Sequence, residues 1–284
     1  MPCWREMEEP GAIPSSVTRE ILPGVRVCRD ADAVARAATR QFVDWAWQSI
    51  ARDGKFCVAL SGGHTPLAMY ALLATPEYRA QVDWPRVHLF WGDERAVPPD
   101  DPQSNYGAVR RELLLKVPIP PNNVHRMEAE SANIGRAAQN YEEILRGNLD
   151  LDDRGFPRFH LILLGMGTEG HTASLFPGSR TLRNTSRWVS TPMVAKLGAR
   201  RMTLTLPVLD AAERVLFLIT GSGKAELLKQ VLDGTTEPPV PAQLVQPHSG
   251  ARYFLINEAA AAFLTSTADS ESLSRRASDR RRVR

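Results

Sequence analysis

Short apolar runs recur along the chain, each closed by turn-forming residues and most followed by a stretch of helical period. The clearest are residues 25–28, 56–60, 87–91, 159–164, 215–219 and 253–256. Their length suits strands buried on both faces of a sheet. Between them the period changes. Asp30 can cap a helix in which Ala31, Val34, Ala35, Ala38, Phe42, Trp45 and Ala46 recur at helical spacing to about Ala51. Pro66 fits the first turn of a helix over 67–74, and residues 101–106 form a turn capping a helix to about Leu115. Ile134, Ala137, Ala138, Tyr141, Ile144 and Leu145 mark one face of a helix over 134–145. Further helices are expected after Pro207, over 226–232, and over 258–264 capped by Asn257. Residues 124–127 and 188–190 read as short strands, and Arg201 opens an alternating one with Met202, Leu204 and Leu206. Residues 182–188 and 238–247 read as loops. Strands alternating with helices predict an α/β fold, a mostly parallel sheet with helices on both faces.

Composition sharpens this picture at the ends. Residues 1–20 lack periodicity and hold three prolines, so a poorly ordered arm is expected there, with one α/β domain over 21–264. The chain's net charge of +3 sits in the tail. There Arg275, Arg276, Arg280, Arg281, Arg282 and Arg284 face Asp269, Glu271 and Asp279, leaving the rest of the chain neutral. Residues 265–284 read as a disordered, Arg-rich tail, and the body offers no electrostatic case for nucleic acid. Cys3, Cys28 and Cys57 suggest neither a disulfide framework nor a zinc site, and Cys57 reads as a core residue. Trp45 and Trp47 read as packing residues. No apolar stretch approaches the ~20 residues that span a bilayer, and the acidic start is unlike a signal peptide. A cytoplasmic protein without a membrane partner is expected.

The candidate chemistry gathers just past strand ends, where open α/β sheets bind ligands. After 159–164 come Gly165, Gly167 and Gly170, with Glu169 and His171 beside them. The glycines let the backbone turn sharply, and an imidazole there can take a proton near neutral pH. After 56–60 comes Ser61-Gly62-Gly63-His64-Thr65, a glycine-rich strand-to-helix turn that presents free N–H groups to an anion. Asp93, Glu94 and Arg95 follow 87–91, and residues 220–225 with Lys224 follow 215–219. Each alone has a bland alternative: a histidine bonded to a loop carbonyl, an ordinary turn, a surface salt-bridge cluster, an exposed lysine. The Gly-x-Gly-x-x-Gly at 165–170 also suggests a dinucleotide. No acid follows some ~20 residues on at the end of a next strand, which ribose recognition needs, so that reading is rejected.

Four segments in this order, LSGGHTP at 60–66, FWGDERAVP at 90–98, GMGTEGHTASLFPGS at 165–179 and RMTLTLPVL at 201–209, resemble the 6-phosphogluconolactonase family. The likeness spans roughly residues 21–264. Where the family usually has Pro-Asp, this chain has Thr168-Glu169, which keeps the acid on a longer arm. The resemblance implies a Rossmann-like domain similar to glucosamine-6-phosphate deaminases. The implied activity is hydrolysis of 6-phospho-D-glucono-1,5-lactone to 6-phospho-D-gluconate, the second step of the oxidative pentose phosphate pathway. It implies His171, Glu169 and Asp93 as catalytic residues, with His171 the general base. Ser61, Gly62, Gly63, His64, Thr65, Arg95, Arg201 and Lys224 are implied to bind substrate and phosphate, with Glu94 supporting, and Asn105 in the turn at 101–106 is placed to buttress the site. The partner is then a small sugar-phosphate lactone, the protein a monomer or weak homo-oligomer, and neither metal nor organic cofactor is needed. Two rival readings fit the residues less well. An isomerising deaminase carries a glutamate where this chain has Phe176. A sugar-phosphate-sensing regulator needs a DNA-binding module for which the first ~20 residues are too few.

Overall fold

The computed structural model describes residues 17–194 and 198–264, so the first sixteen residues and the Arg-rich tail lie outside the described residues. In chain order the elements begin with β1 (Val17–Leu22), β2 (Val25–Cys28), α1 (Ala31–Asp53), β3 (Phe56–Leu60), α2 (His64–Leu73) and α3 (Pro76–Arg79). There follow β4 (Val87–Trp91), β5 (Asp93–Arg95), α4 (Asn105–Val109), β6 (Val124–His125), α5 (Ile134–Asn148) and β7 (Leu161–Leu164). The chain continues through β8 (Val189–Ser190), β9 (Met193–Val194), β10 (Ala199–Leu204), α6 (Leu206–Ala211), β11 (Arg214–Ile219), α7 (Ala225–Asp233), α8 (Pro241–Leu244) and β12 (Ala251–Asn257).

Eight strands form the central sheet in the order β1-β2-β12-β11-β7-β3-β4-β6. All neighbours run parallel except β1 and β2. Every residue of β3 and β7 is buried, so both faces are covered at the centre of the sheet. Apolar runs without alternation record that double burial. The first helix shows how local chemistry sets the bounds. The Asp30 carboxylate accepts from the Ala33 N–H at 2.8 Å, and the helix ends where Gly54 turns left-handed at φ 74°. Cys28 and Cys57 are buried free thiols, as core residues should be.

Beside this sheet lies a small antiparallel one, β5-β10-β8, with β9 also paired to β10. Several expectations are corrected here. Residues 17–20 belong to strand β1, not to a patternless arm, because they pair with β2. Asp93–Arg95 is strand β5, not a loop, and Leu206 begins α6 instead of ending a strand. The proline-rich loop contains the short α8. Residues 258–263 form turns, not a helix. Trp45 is buried, but Trp47 is 71% exposed, since two positions along a helix point to different sides.

Candidate active site

The order in which the chain adds strands reverses between β3 and β7. From β3 the chain builds outward through β4 and β6, and from β7 it builds the other way through β11 and β12. Such a switch point opens a crevice at the carboxyl ends of the strands. The loops leaving β4, β3, β7 and β11 are consecutive across the sheet, and they carry the residues singled out by sequence. Arg201 reaches the same place from β10, directly opposite Arg95 in the small sheet.

The loop after β7 holds the imidazole. The His171 carbonyl accepts from the Gly167 N–H at 2.9 Å, and Thr172 Oγ1 donates to the Gly165 carbonyl at 2.8 Å. A Cβ on Gly167 would lie 2.1 Å from His171 Nδ1, so glycine is required for the ring to fit. Nδ1 stands 3.1 Å from Glu169 Oε2, but off the hydrogen-bonding direction, so the carboxylate lies beside the ring edge without a hydrogen bond to it. Both side chains stay about one-third exposed, at 31% and 35%, which leaves the ring accessible to substrate. Phe176 covers the ring, stacked upon it.

The loop after β4 divides its acids between two tasks. Glu94 is buried and accepts from the N–H groups of Arg95, Asn105 and Tyr106 at 2.7–2.8 Å and from Ser104 Oγ at 3.1 Å. Burial raises its pKa while the backbone donors oppose the rise, and its work is to fix the turn into α4. Asp93 is also buried. Its Oδ2 accepts from Ser174 Oγ at 2.6 Å and its Oδ1 from Asn105 Nδ2 at 3.2 Å. With both oxygens engaged, Asp93 serves better as an anchor than as a free acid or base.

The cations of the crevice lie on two elements, the small sheet and the turn after β11. Arg95 and Arg201 are register partners, and the Nε of each is buried without a hydrogen-bond partner. Burial, then the nearby Arg95 charge, lowers the pKa of the Arg201 guanidinium. Arg95 also donates from Nη1 to the Gln103 carbonyl, and the mutual repulsion of the two guanidinium charges would be eased by an anion beside them. Burial likewise lowers the pKa of Lys224, on the β11 side of the crevice.

The glycine-rich turn after β3 is held by Tyr70. Its hydroxyl accepts from the Ser61 N–H at 3.1 Å and donates to the Ser61 carbonyl at 2.9 Å. Ser61 Oγ is left buried with no partner. Gly62 packs so closely on Asn105 that a Cβ would sit 2.0 Å from its Oδ1. Gly63, at φ 101°, precedes α2 with no side chain capping the helix, so the first N–H groups remain for a ligand. Thr65 Oγ1 meets Thr220 Oγ1 at 2.9 Å, which joins this turn to the β11 loop. His64 begins α2 exposed. Sequence reading did not single out Ser174 and Thr203 as site neighbours, although both lie inside the matched segments at 165–179 and 201–209, because nothing local shows that the two meet.

A second cluster, Asp53, His160 and Glu213, lies at the opposite end of the strands, with ligand atoms within 4.8 Å of one another. Its groups are already committed. Arg52 donates to Glu213 at 2.9 and 2.6 Å and to Asp53 at 2.8 Å. His160 Nδ1 accepts from the Cys57 N–H at 2.9 Å, which turns a protonated Nε2 toward Asp53 at 3.0 Å. This is an ion-pair network with no lone pair on the ring left for a metal.

A parallel sheet with a glycine-rich anion turn, paired arginines and an accessible histidine at its switch point defines an α/β enzyme of small phosphorylated metabolites. Residues 29–254 match the family described as glucosamine-6-phosphate isomerases/6-phosphogluconolactonase, and the chain belongs to that family. The 6-phosphogluconolactonase of Synechocystis sp. is 38% identical over 213 residues, covering 75% of this chain and 86% of its own length. The human 6-phosphogluconolactonase is 40% identical over 214 residues, 74% of this chain and 81% of its own. The solved 6-phosphogluconolactonase of Trypanosoma brucei superposes with a TM-score of 0.78 at 28% identity, covering 87% of this chain and 100% of that one. Among the described residues no helix is long and apolar enough to cross a membrane.

Proposed function

We propose that this chain hydrolyses 6-phospho-D-glucono-1,5-lactone to 6-phospho-D-gluconate. The observation that carries the reading is His171, accessible at a strand end with Glu169 at 3.1 Å from Nδ1 and the Arg95–Arg201 pair on the adjoining small sheet. Glu169 favours the tautomer with its proton on Nδ1, leaving Nε2 as the base. Nε2 takes a proton from water as the water oxygen bonds to the lactone carbonyl carbon. The carbonyl oxygen becomes an oxyanion, for which loop N–H groups are the donors. As the intermediate collapses, the bond to the ring oxygen breaks and the imidazolium returns the proton to that oxygen. Arg95, Arg201, Lys224 and the Ser61–Thr65 turn hold the phosphate, and Asp93 acts by holding its neighbours in place. The ester is reactive enough that this route runs without metal or organic cofactor.

The isomerising deaminase needs a second acid where Phe176 stands, and the stacked phenyl ring offers none. The enzyme is read as cytoplasmic, acting as a monomer or weak homo-oligomer. A hydrolysis assay on freshly made lactone, with wild type and His171→Ala side by side, tests the reading. Removing the base should cost ~10²–10⁴-fold in turnover with the fold intact. A well-folded variant with near-wild-type turnover overturns it.

A further inference from the structure

The base and the two arginines of this reaction stand on different sheets. His171 leaves β7 in the central sheet, whereas Arg95 and Arg201 lie on β5 and β10 of the small one. Attack on the carbonyl needs a fixed distance between them, because a misplacement of ~1 Å can cost ~10²-fold. A tie between the two sheets is therefore required close to the histidine.

Ser174, three residues beyond His171 and only 1% exposed, makes that tie. Its Oγ donates to Asp93 Oδ2 at 2.6 Å, the length of a hydroxyl bound to a carboxylate. Its backbone N–H donates to Thr203 Oγ1 at 3.2 Å. Asp93 and Thr203 are partners in the β5–β10 ladder, two rungs from the pair Arg95 and Arg201. Residues two apart on a strand share a face, so Ser174 grips the same face that carries the two guanidinium groups. Its neighbour Ala173 is held at φ 48°, a left-handed conformation that costs about 1 kcal/mol or more for a residue with a Cβ. Such strain persists where surrounding bonds dictate the backbone, and the two bonds of Ser174 do so.

We propose that Ser174 is a positioning residue, which aligns the His171 loop with the Arg95–Arg201 rung by clasping Asp93 and Thr203. The inference rests on the lactonase reading above. Substrate binding depends on the cations, which the clasp does not touch, whereas the placing of the base depends on it. Loss of the hydroxyl should therefore appear in kcat and spare KM.

The test is steady-state hydrolysis of the lactone by wild type, Ser174→Ala and Ser174→Thr, with melting curves for each. Ser174→Ala should lower kcat ~10–10²-fold with KM within ~2-fold, and Ser174→Thr, which keeps the hydroxyl, should recover most of the loss. If the added methyl prevents folding, a double-mutant cycle with Asp93→Asn replaces it. There the two losses should overlap instead of multiplying, and fully multiplicative losses overturn the clasp. A folded Ser174→Ala with kcat within ~2-fold of wild type also overturns it. Imidazole NMR of His171 in the two proteins separates this inference from the lactonase reading. If wild type fails to hydrolyse the lactone, that reading falls, and the clasp is judged by whether the His171 ring signals move in Ser174→Ala. Unmoved signals overturn it.

Discussion

The phenyl ring of Phe176 lies on the imidazole of His171, with centroids 4.6 Å apart and planes inclined by 26°. The contact screens one face of the imidazole and restricts its rotation. Aromatic pairs contribute about 0.5–1.5 kcal/mol beyond burial, equivalent to ~2–10-fold in rate if the whole amount serves to orient the ring. Phe176→Leu should lower kcat by that factor with little change in melting temperature. Phe176→Glu should lower it further, because a new carboxylate then competes with Glu169 for the ring, yet it should release no ammonia from glucosamine 6-phosphate. Ammonia production by either protein at a rate comparable to lactone hydrolysis would remove the distinction drawn between hydrolase and isomerase.

The unpaired Nε atoms of Arg95 and Arg201, and the desolvated ammonium of Lys224, predict a selective loss of grip. Arg201→Ala and Lys224→Ala should each raise KM for the phosphorylated lactone far more than for unphosphorylated gluconolactone. A charge-assisted hydrogen bond contributes about 1.5–3 kcal/mol, or ~10–10²-fold. Parallel kinetics on the two substrates give the comparison, and equal effects on both would show that neither cation holds the phosphate.

Much of this was legible in the sequence because the fold and the chemistry share one signal. The double-buried strands are plain apolar runs, and each ends in glycine or charge, so 56–60, 87–91 and 215–219 were read with the loops that follow them. Strand β5 was not legible. Asp93, Glu94 and Arg95 are three charges in succession, and only their pairing with Arg201, Met202 and Thr203 makes them a strand. Ser174 was hidden for the opposite reason. Its partners lie 81 and 29 residues away, a distance that no local pattern reports.

Asp210 predicts a pH dependence of stability. It lies buried in α6, its Oδ1 accepting from the Gln246 N–H at 2.7 Å, and burial pushes its pKa from 3.8 up to about 6. The folded chain thus holds the proton more tightly than the unfolded chain. The stabilisation is complete below pH ~4, falls as pH rises, and is gone above the folded value. Asp210→Asn mimics the protonated form and should melt with wild type near pH 4 but above it at pH 7–8. Thermal melts across that range decide the matter, and a difference that is constant with pH excludes Asp210 as its source.

The small sheet is a slender piece of structure. Its β5–β10 ladder has three rungs and its contacts with β8 and β9 two each, against six between β11 and β12. Ladders so short open locally at a lower free-energy cost than the core strands do. The arginines proposed to hold the phosphate therefore ride on the part of the molecule expected to loosen first. In rising urea, affinity for the phosphorylated substrate should fade while the far-ultraviolet circular dichroism of the central sheet is still native, and amides of β10 should exchange with deuterium before those of β11. The enzyme would fall silent while still folded.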